Sequence, residues 1–146
     1  MSETIGEQGW LKVGDKLPPQ IFGPFELPHL AAYAQASGDD NPLHLDPEVA
    51  RRVGLPAPPV HGMLAMSCLV PAIAAWRGDL RLARLAAKFV QPLIAGDPLE
   101  ISGRVVQVQG GAEPSAIMRL MAHGERRALV ILAEASLVPT FASPRR

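Results

Sequence analysis

The segment from Gly62 to Trp76 is apolar on every side, and it limits the fold more than any other feature of the sequence. Alanines separate its larger side chains, which are Met63, Leu64, Met66, Leu69, Val70, Ile73 and Trp76. A helix that is apolar all round has to be buried, and one of about 22 Å is too short to cross a bilayer. The segment therefore predicts one long helix in the core. It also predicts a bend or an early end at Pro71, because an interior proline removes a helical hydrogen bond.

The chain after this segment is divided by glycines into strand-like stretches. Within one of them, outward and inward positions alternate in a partly period-two pattern, as in a half-buried strand. The four late strands are predicted at Leu80–Leu93, Asp97–Gln109, Ser115–His123 and Arg126–Pro139, and an early one at Gln20–Leu27 precedes the apolar segment. Together they predict an α+β fold in which an antiparallel sheet wraps around the central apolar helix.

Two shorter helices are predicted ahead of the apolar segment. Pro28 suits a first helical turn, and the helix would run to Ser37, where Gly38 ends it. A second helix would run from Pro47 to Val53, with the carboxylate of Asp46 as its cap. Asp46 therefore has a structural role, and we assign it no chemistry.

Length, charge and cysteine content exclude several classes of protein. A chain of 146 residues fits one domain, which we place at residues 11–140, between tails at 1–10 and 141–146. Basic and acidic residues balance at 14 each, so nothing indicates binding to nucleic acid or to a membrane surface. A lone cysteine, Cys68, excludes an intrachain disulfide framework. With no apolar signal core at the N-terminus, we expect a cytoplasmic protein.

The loop from Gly38 to His44 carries the candidate chemistry. Asp39 and His44 are five positions apart, and Asn41-Pro42 lies between them in a rigid, non-helical link. Two proton-transfer groups on a fixed frame suit general acid–base catalysis. The residues alone leave a second interpretation open, an ordinary turn with a surface aspartate and a surface histidine.

The wider string resembles the signature of the MaoC-like (R)-specific enoyl-CoA hydratases and (3R)-hydroxyacyl thioester dehydratases. Ala36 departs mildly from that signature, which usually has a larger aliphatic residue or glycine there. Further similar phrases lie at 60–64 and 88–99, so that the resemblance covers about residues 11–138. The signature positions that fit are Tyr33, Ser37, Gly38, Asp39, Asn41, Pro42, Leu43, His44 and Ala50.

The resemblance implies a hot-dog fold and the reversible syn hydration of trans-2-enoyl thioesters to (R)-3-hydroxyacyl thioesters. It implies that Asp39 and His44 hold one water, which supplies both the hydroxyl group and the proton, while Asn41 and Pro42 position the pair. The order of proton transfer stays open. No cofactor is implied, since coenzyme A or an acyl carrier protein enters as part of the substrate.

The backbone N–H of Gly62 is the candidate oxyanion donor. It opens the apolar helix, where unpaired N–H groups favour negative charge, and glycine allows a close approach. The alternative is that Gly62 only permits the turn into the helix. We interpret the neighbouring His61 as a structural histidine tied to the backbone.

Other reactive side chains show no catalytic or ligand spacing. Ser67 and Cys68 lack an adjacent base and fit the core, and His29 and His123 are too scattered for a metal site, so we predict none. One basic run can either contact the phosphates of coenzyme A or form a solvated face; it comprises Arg77, Arg81, Arg84 and Lys88.

Two other functions compete with the hydratase interpretation. Thioesterases share this fold, but the intact Asp39/His44 pair argues against that activity. A substrate-tunnel subunit of a heterodimeric dehydratase would be expected to lack the pair. In either case an open sheet edge favours pairing, so we expect a homodimer or a heterodimer of hot-dog chains.

Overall fold

Five antiparallel strands form one sheet in this computed structural model, which describes residues 9–140. In chain order they are β1 (Lys16–Phe22), β2 (Leu80–Phe89), β3 (Leu99–Gln109), β4 (Ser115–His123) and β5 (Leu129–Pro139). Their order across the sheet is β1-β3-β4-β5-β2. The two outer strands are therefore β1 and β2, which leave a free edge at each side.

Strand boundaries differ from the sequence prediction in four strands, and the smallest difference is β3, which begins at Leu99 and not at Asp97. β1 begins at Lys16 and ends at Phe22, not over Gln20–Leu27, because Gly23 turns the backbone to a φ of 83° and Pro24 follows it. β2 ends at Phe89. β5 begins only at Leu129, since Arg126 and Arg127 adopt left-handed φ angles of 54° and 59° in the preceding turn. A strand cannot continue through such angles.

The predicted long central helix is two short helices. The α-helices within residues 9–140 are α1 (Leu27–Ser37), α2 (Pro47–Arg52), α3 (Gly62–Met66) and α4 (Leu69–Trp76). The apolar segment is therefore interrupted at Ser67 and Cys68. The bend expected at Pro71 occurs one turn earlier. Pro71 has no N–H to bond the carbonyl of Ser67, and its ring disfavours a helical carbonyl four residues before it. Placed in the first turn of α4, the proline costs that helix little.

One face of the sheet packs on α3 and α4 and forms the core. Along β3, β4 and β5 the buried side chains fall mostly at every second position, which directs them to one face of the sheet. They include Leu99, Ile101, Val105, Ala116, Met118, Leu120, Ala122, Ile131, Ala133, Ala135 and Leu137. Leu69, Ala72 and Ile73 of α4 complete this cluster. The predicted α+β architecture, an antiparallel sheet around central apolar helices, is confirmed.

The ends of the described chain add two facts. Trp10 donates a hydrogen bond from Nε1 to the backbone oxygen of Ser115 at 3.2 Å, so the chain is already tied to the sheet at this point. Residues 1–8 and 141–146 of the predicted tails lie outside the described residues. No helix within residues 9–140 is long and apolar enough to cross a membrane.

Candidate active site

The loop that carries Asp39 and His44 starts at the end of α1. Gly38 has a φ of 82°, and its N–H bonds the carbonyl of Ala34 at 2.9 Å, which closes the helix. Few residues other than glycine adopt this left-handed conformation without strain. The hydroxyl of Ser37 then accepts a hydrogen bond from the amide of Asp39 at 3.1 Å. Asp39 is thereby held immediately beyond a well-capped helix end.

Asn41 and Pro42 form the frame on which His44 is carried. The residues Pro42–His44 make one 3₁₀ turn, and the side-chain oxygen of Asn41 accepts the amide N–H of Leu43 at 3.0 Å. The backbone carbonyl of Asn41 accepts the amide of His44 at 3.0 Å. Pro42 occupies the first position of this turn, where the lack of an N–H leaves no hydrogen bond unmade. These two hydrogen bonds fix the backbone from Asn41 to His44.

The imidazole of His44 is fixed by a residue far along the chain. Its Nδ1 lies 2.8 Å from the backbone oxygen of Pro59. A carbonyl oxygen only accepts hydrogen bonds, so Nδ1 carries the proton. In the neutral ring Nε2 therefore presents a lone pair, which is the form that a general base requires.

This lone pair of His44 lies close to the carboxylate of Asp39. Nε2 of His44 and Oδ2 of Asp39 are 4.0 Å apart, too far for a direct hydrogen bond. A water at about 2.8 Å from both atoms fits the gap, with an angle of about 90° at its oxygen. The His44 side chain is 17% exposed and that of Asp39 is 52% exposed, so solvent reaches the pair.

His61 contacts both Asp39 and His44. Its side chain is 1% exposed, and its Nε2 lies 3.0 Å from the backbone oxygen of Asp39, to which it must donate. Its ring stacks on that of His44, with centroids 4.0 Å apart and planes at 25°. The ring of Tyr33 also packs against that of His61, with centroids 4.7 Å apart. As expected, His61 is a structural histidine tied to the backbone, and it supports both Asp39 and His44.

The same three residues are close enough to consider as a metal site. Ligand atoms of Asp39, His44 and His61 all lie within 4.8 Å of one another. Metal ligands must direct their lone pairs to one point, whereas the two stacked rings direct theirs side by side. One nitrogen of each ring is also already bonded to a backbone carbonyl. This geometry suits a hydrogen-bonded site better than a metal centre.

A cavity of about 290 Å³ opens beside His44. Its walls are mostly apolar and come from the start of α3, the end of β2 and the segment after it: Gly62, Ala65, Phe89, Val90, Pro92 and Leu93. As the first residue of α3, Gly62 has an N–H without an acceptor inside the helix. A Cβ atom at Gly62 would lie 3.1–3.2 Å from the ring of Phe89. Glycine therefore keeps the space between the helix start and Phe89 open.

The remaining candidates lie where packing or local hydrogen bonds account for them. Asp46 caps α2 by accepting the amide of Glu48 at 2.9 Å. Ser67 donates to the carbonyl of Leu64 at 2.6 Å. Burial raises the pKa of the Cys68 thiol, only partly offset by a hydrogen bond with Ser67, so the reactive thiolate is disfavoured.

The basic run divides into one buried and three exposed residues. Arg77 is 7% exposed, and its guanidinium binds both carboxylate oxygens of Asp79 and the backbone oxygen of Gly9. That pairing raises the pKa of Arg77 despite its burial. The suggested contact between Arg77 and coenzyme phosphates is therefore wrong. Arg81, Arg84 and Lys88 remain exposed on β2.

Sequence reasoning missed the residues that orient the pair. Neither the carbonyl of Pro59 nor the bond from His61 to the backbone of Asp39 leaves a local pattern, because both contacts join distant segments. The one available signal was proline content: three of the residues at 56–59 are prolines, which stiffen the segment that carries both groups.

Comparison with known proteins gives one family. The model of the MaoC like domain matches residues 24–123. The chain is 37% identical over 102 residues to a mitochondrial 3-hydroxyacyl-[acyl-carrier-protein] dehydratase from Arabidopsis thaliana, covering 70% of this chain and 59% of that protein. It is 30% identical over 128 residues to an (R)-specific enoyl-CoA hydratase from Aeromonas caviae, covering 86% of this chain and 92% of that protein.

Solved structures agree with the hot-dog fold. An (R)-hydratase from A. caviae, described as involved in PHA biosynthesis, has a TM-score of 0.76 at 28% identity, covering 87% of this chain and 96% of that one. A chain of the ChsH1–ChsH2 complex from Mycobacterium tuberculosis has a TM-score of 0.77 at 18% identity, covering 90% of this chain and 100% of that one. The second comparison concerns the fold alone. This chain spans less than two thirds of the Arabidopsis dehydratase.

Proposed function

The chain belongs to the MaoC-like domain family, and from that premise we propose that it is a hydro-lyase acting on enoyl thioesters. The reaction is the reversible syn hydration of a trans-2-enoyl thioester to the (R)-3-hydroxyacyl thioester. One observation carries the proposal: His44, held through Nδ1 by Pro59, presents Nε2 within 4.0 Å of the carboxylate of Asp39. A single water fits between these two acceptors.

In the hydration direction the water is the source of every atom added. One O–H bond breaks as the proton passes to one member of the Asp39/His44 pair, and the oxygen forms a bond to C3. The C2–C3 π electrons move toward the thioester oxygen as an enolate. The proton then returns to C2 from the same side, which gives syn addition. Each well-placed proton-transfer group typically contributes about 10²–10⁴ in rate.

The enolate oxygen requires a hydrogen-bond donor. We assign that role to the amide of Gly62, which lines the same cavity as His44 and has no acceptor in its helix. A donor aimed at developing negative charge in a partly closed site is among the largest catalytic contributions. The apolar walls of the cavity suit the acyl chain of the substrate.

Pairing of two hot-dog chains would complete the site. The half-exposed Asp39 side chain lies on a surface that a single chain leaves open. Of the two free edges, β1 contains Pro18 and Pro19, which cannot donate to a neighbouring strand, whereas β2 contains no proline. We therefore propose a homodimer, or a heterodimer with a related chain, formed along β2. Light scattering of an active sample should report a dimer, and an active monomer at micromolar concentration would contradict this.

Two further points belong to the proposal: the carrier of the substrate and the location of the protein in the cell. Both coenzyme A and an acyl carrier protein can present the thioester, and the substrate's carrier is the only cofactor-like group proposed. The cytoplasmic location stays a prediction, since one of the relatives is a mitochondrial protein.

Direct assay with crotonyl-CoA tests the proposed reaction. Loss of the enoyl-thioester absorbance, together with formation of 3-hydroxybutyryl-CoA, is the expected result. Release of free crotonate and coenzyme A would instead indicate a thioesterase. Activity only after mixing with a second hot-dog chain would indicate a heterodimeric dehydratase.

A further inference from the structure

A second and larger cavity lies on the opposite face of the sheet. Its volume is about 650 Å³, and it shares no lining residue with the cavity beside His44. Leu17, Pro18, Pro19, Val106 and Met121 give it largely apolar walls. We call it the outer cleft. Its size is that of a small-molecule site, for which about 300–1,000 Å³ is usual.

A local irregularity of β1 opens the outer cleft. The pairing of β1 with β3 shifts register between Leu17 and Gln20. Pro18 and Pro19 occupy the shift, and neither has an N–H to donate to β3. A bulge of this kind bends an edge strand away from the sheet. The cleft is therefore built into the backbone and does not depend on one side-chain rotamer.

Three positive charges lie in a row across the strands that form the outer cleft. Lys16 of β1 is directly opposite Arg104 of β3, and Arg104 is directly opposite Arg119 of β4. All three side chains are exposed, and all three line the cleft. Directly opposite positions on neighbouring strands are about 5 Å apart, where like charges destabilise the sheet.

The row has an acidic cross-strand neighbour at its Arg119 end, Glu134 of β5. The lining of the outer cleft includes no aspartate or glutamate. The ion pairs found among residues 9–140 do not include Lys16, Arg104 or Arg119. Glu134 follows Arg119 in the same cross-strand row, yet it forms no ion pair with it at 4.0 Å or less. The exposed charges of Lys16 and Arg104 are therefore available to an anion bound in the cleft.

We propose that the outer cleft binds an amphiphilic anion. Its apolar chain lies against Pro18, Pro19 and Met121, and its carboxylate or phosphate head group lies among Lys16, Arg104 and Arg119. Arginine suits both head groups, because its planar guanidinium binds two oxygens at once. This binding site is separate from the proposed catalytic site and does not depend on the proposed reaction.

Isothermal titration calorimetry at low ionic strength tests the proposal with dodecanoate and dodecyl phosphate, both below their micelle concentrations. One equivalent of either should bind with a dissociation constant in the micromolar range. Arg104→Gln and Arg119→Gln should each weaken binding at least tenfold, because each removes a charge from the head-group site. Arg52→Gln, at an exposed arginine of α2, is the matched control and should leave binding unchanged.

Comparison of the two ligands shows whether the site prefers a carboxylate or a phosphate head group. The neutral analogue dodecanol should bind at least tenfold more weakly than either. Equal binding of dodecanol would overturn the proposal, as would unchanged binding by the Arg104→Gln/Arg119→Gln double variant, which would place the ligand in the cavity beside His44.

Thermal unfolding without ligand gives an independent test. Arg104→Gln should raise the unfolding temperature at low salt, and added salt should reduce that difference by screening the repulsion. No change in unfolding temperature would contradict the presence of a repulsion within this row. A change in oligomeric state on the same substitution would also overturn the proposal, because it would identify this face as a contact between copies of the chain.

Discussion

Nε2 of His44 lies 4.0 Å from Oδ2 of Asp39, a separation that one water spans and that a direct hydrogen bond does not. We propose that the two groups hold a water between them and do not bond each other directly. The separation is maintained because His44 is bonded to Pro59 through Nδ1, while the backbone of Asp39 is bonded to His61.

Removing either member of this pair should remove most of the hydration activity. We expect Asp39→Asn and His44→Gln each to lower kcat for crotonyl-CoA by about 10²–10⁴, because each removes one proton-transfer group. Circular dichroism should show an unchanged fold, since neither side chain belongs to the apolar core. Asp40→Asn is the matched control next in the chain and should keep near wild-type turnover. Comparable losses for Asp39→Asn and Asp40→Asn would refute the assignment.

The side-chain oxygen of Asn41 should affect activity through the position of His44. Asn41→Ala removes the acceptor for the amide of Leu43, and we expect kcat to fall about tenfold to a hundredfold through mispositioning. Asn41→Asp keeps an oxygen at that place and should retain most of the activity. Steady-state kinetics of both variants test this, and full activity of Asn41→Ala would mean that Asn41 only forms the turn.

Replacement of His61 should lower activity and leave stability nearly unchanged. Its Nδ1 is buried and has no hydrogen-bond partner among the described residues, so replacing the ring by phenylalanine removes an unsatisfied polar atom along with the bond to Asp39. We expect His61→Phe to lower kcat by about tenfold with little change in KM. The same change should leave the unfolding free energy within about 1 kcal/mol of wild type. A loss of stability in proportion to the loss of activity would indicate a purely structural role.

The fold and the loop could be predicted from the sequence because their signals are local. Apolar runs, glycines and the Asn41-Pro42 pair indicated the antiparallel sheet, the buried helical segment and the turn that carries His44. The break at Ser67 and Cys68 was displaced from Pro71 because proline acts on the carbonyl four residues before it. The contacts of His44 with Pro59 and of His61 with Asp39 could not be predicted, since they depend on how distant segments pack.

A methyl group at Gly62 should disturb the proposed oxyanion site through Phe89. In Gly62→Ala the new Cβ would approach the Phe89 ring to 3.1–3.2 Å, so the ring or the helix start must move. We expect a loss of about tenfold or more in kcat/KM. Phe89→Leu in the same chain should restore part of it by making room. If the double variant is no better than Gly62→Ala, the loss comes from the glycine backbone itself and not from this contact.

Hydration of crotonyl-CoA in D₂O, followed by NMR of the product, tests the central claim most directly. In the proposed mechanism Asp39 and His44 hold one water on one side of the bound double bond. We therefore expect deuterium at C2 and hydroxyl at C3 to arrive on the same face, in the (R)-3-hydroxybutyryl thioester. Anti addition, or an (S) configuration at C3, would contradict the claim that a single water held by this pair supplies both groups.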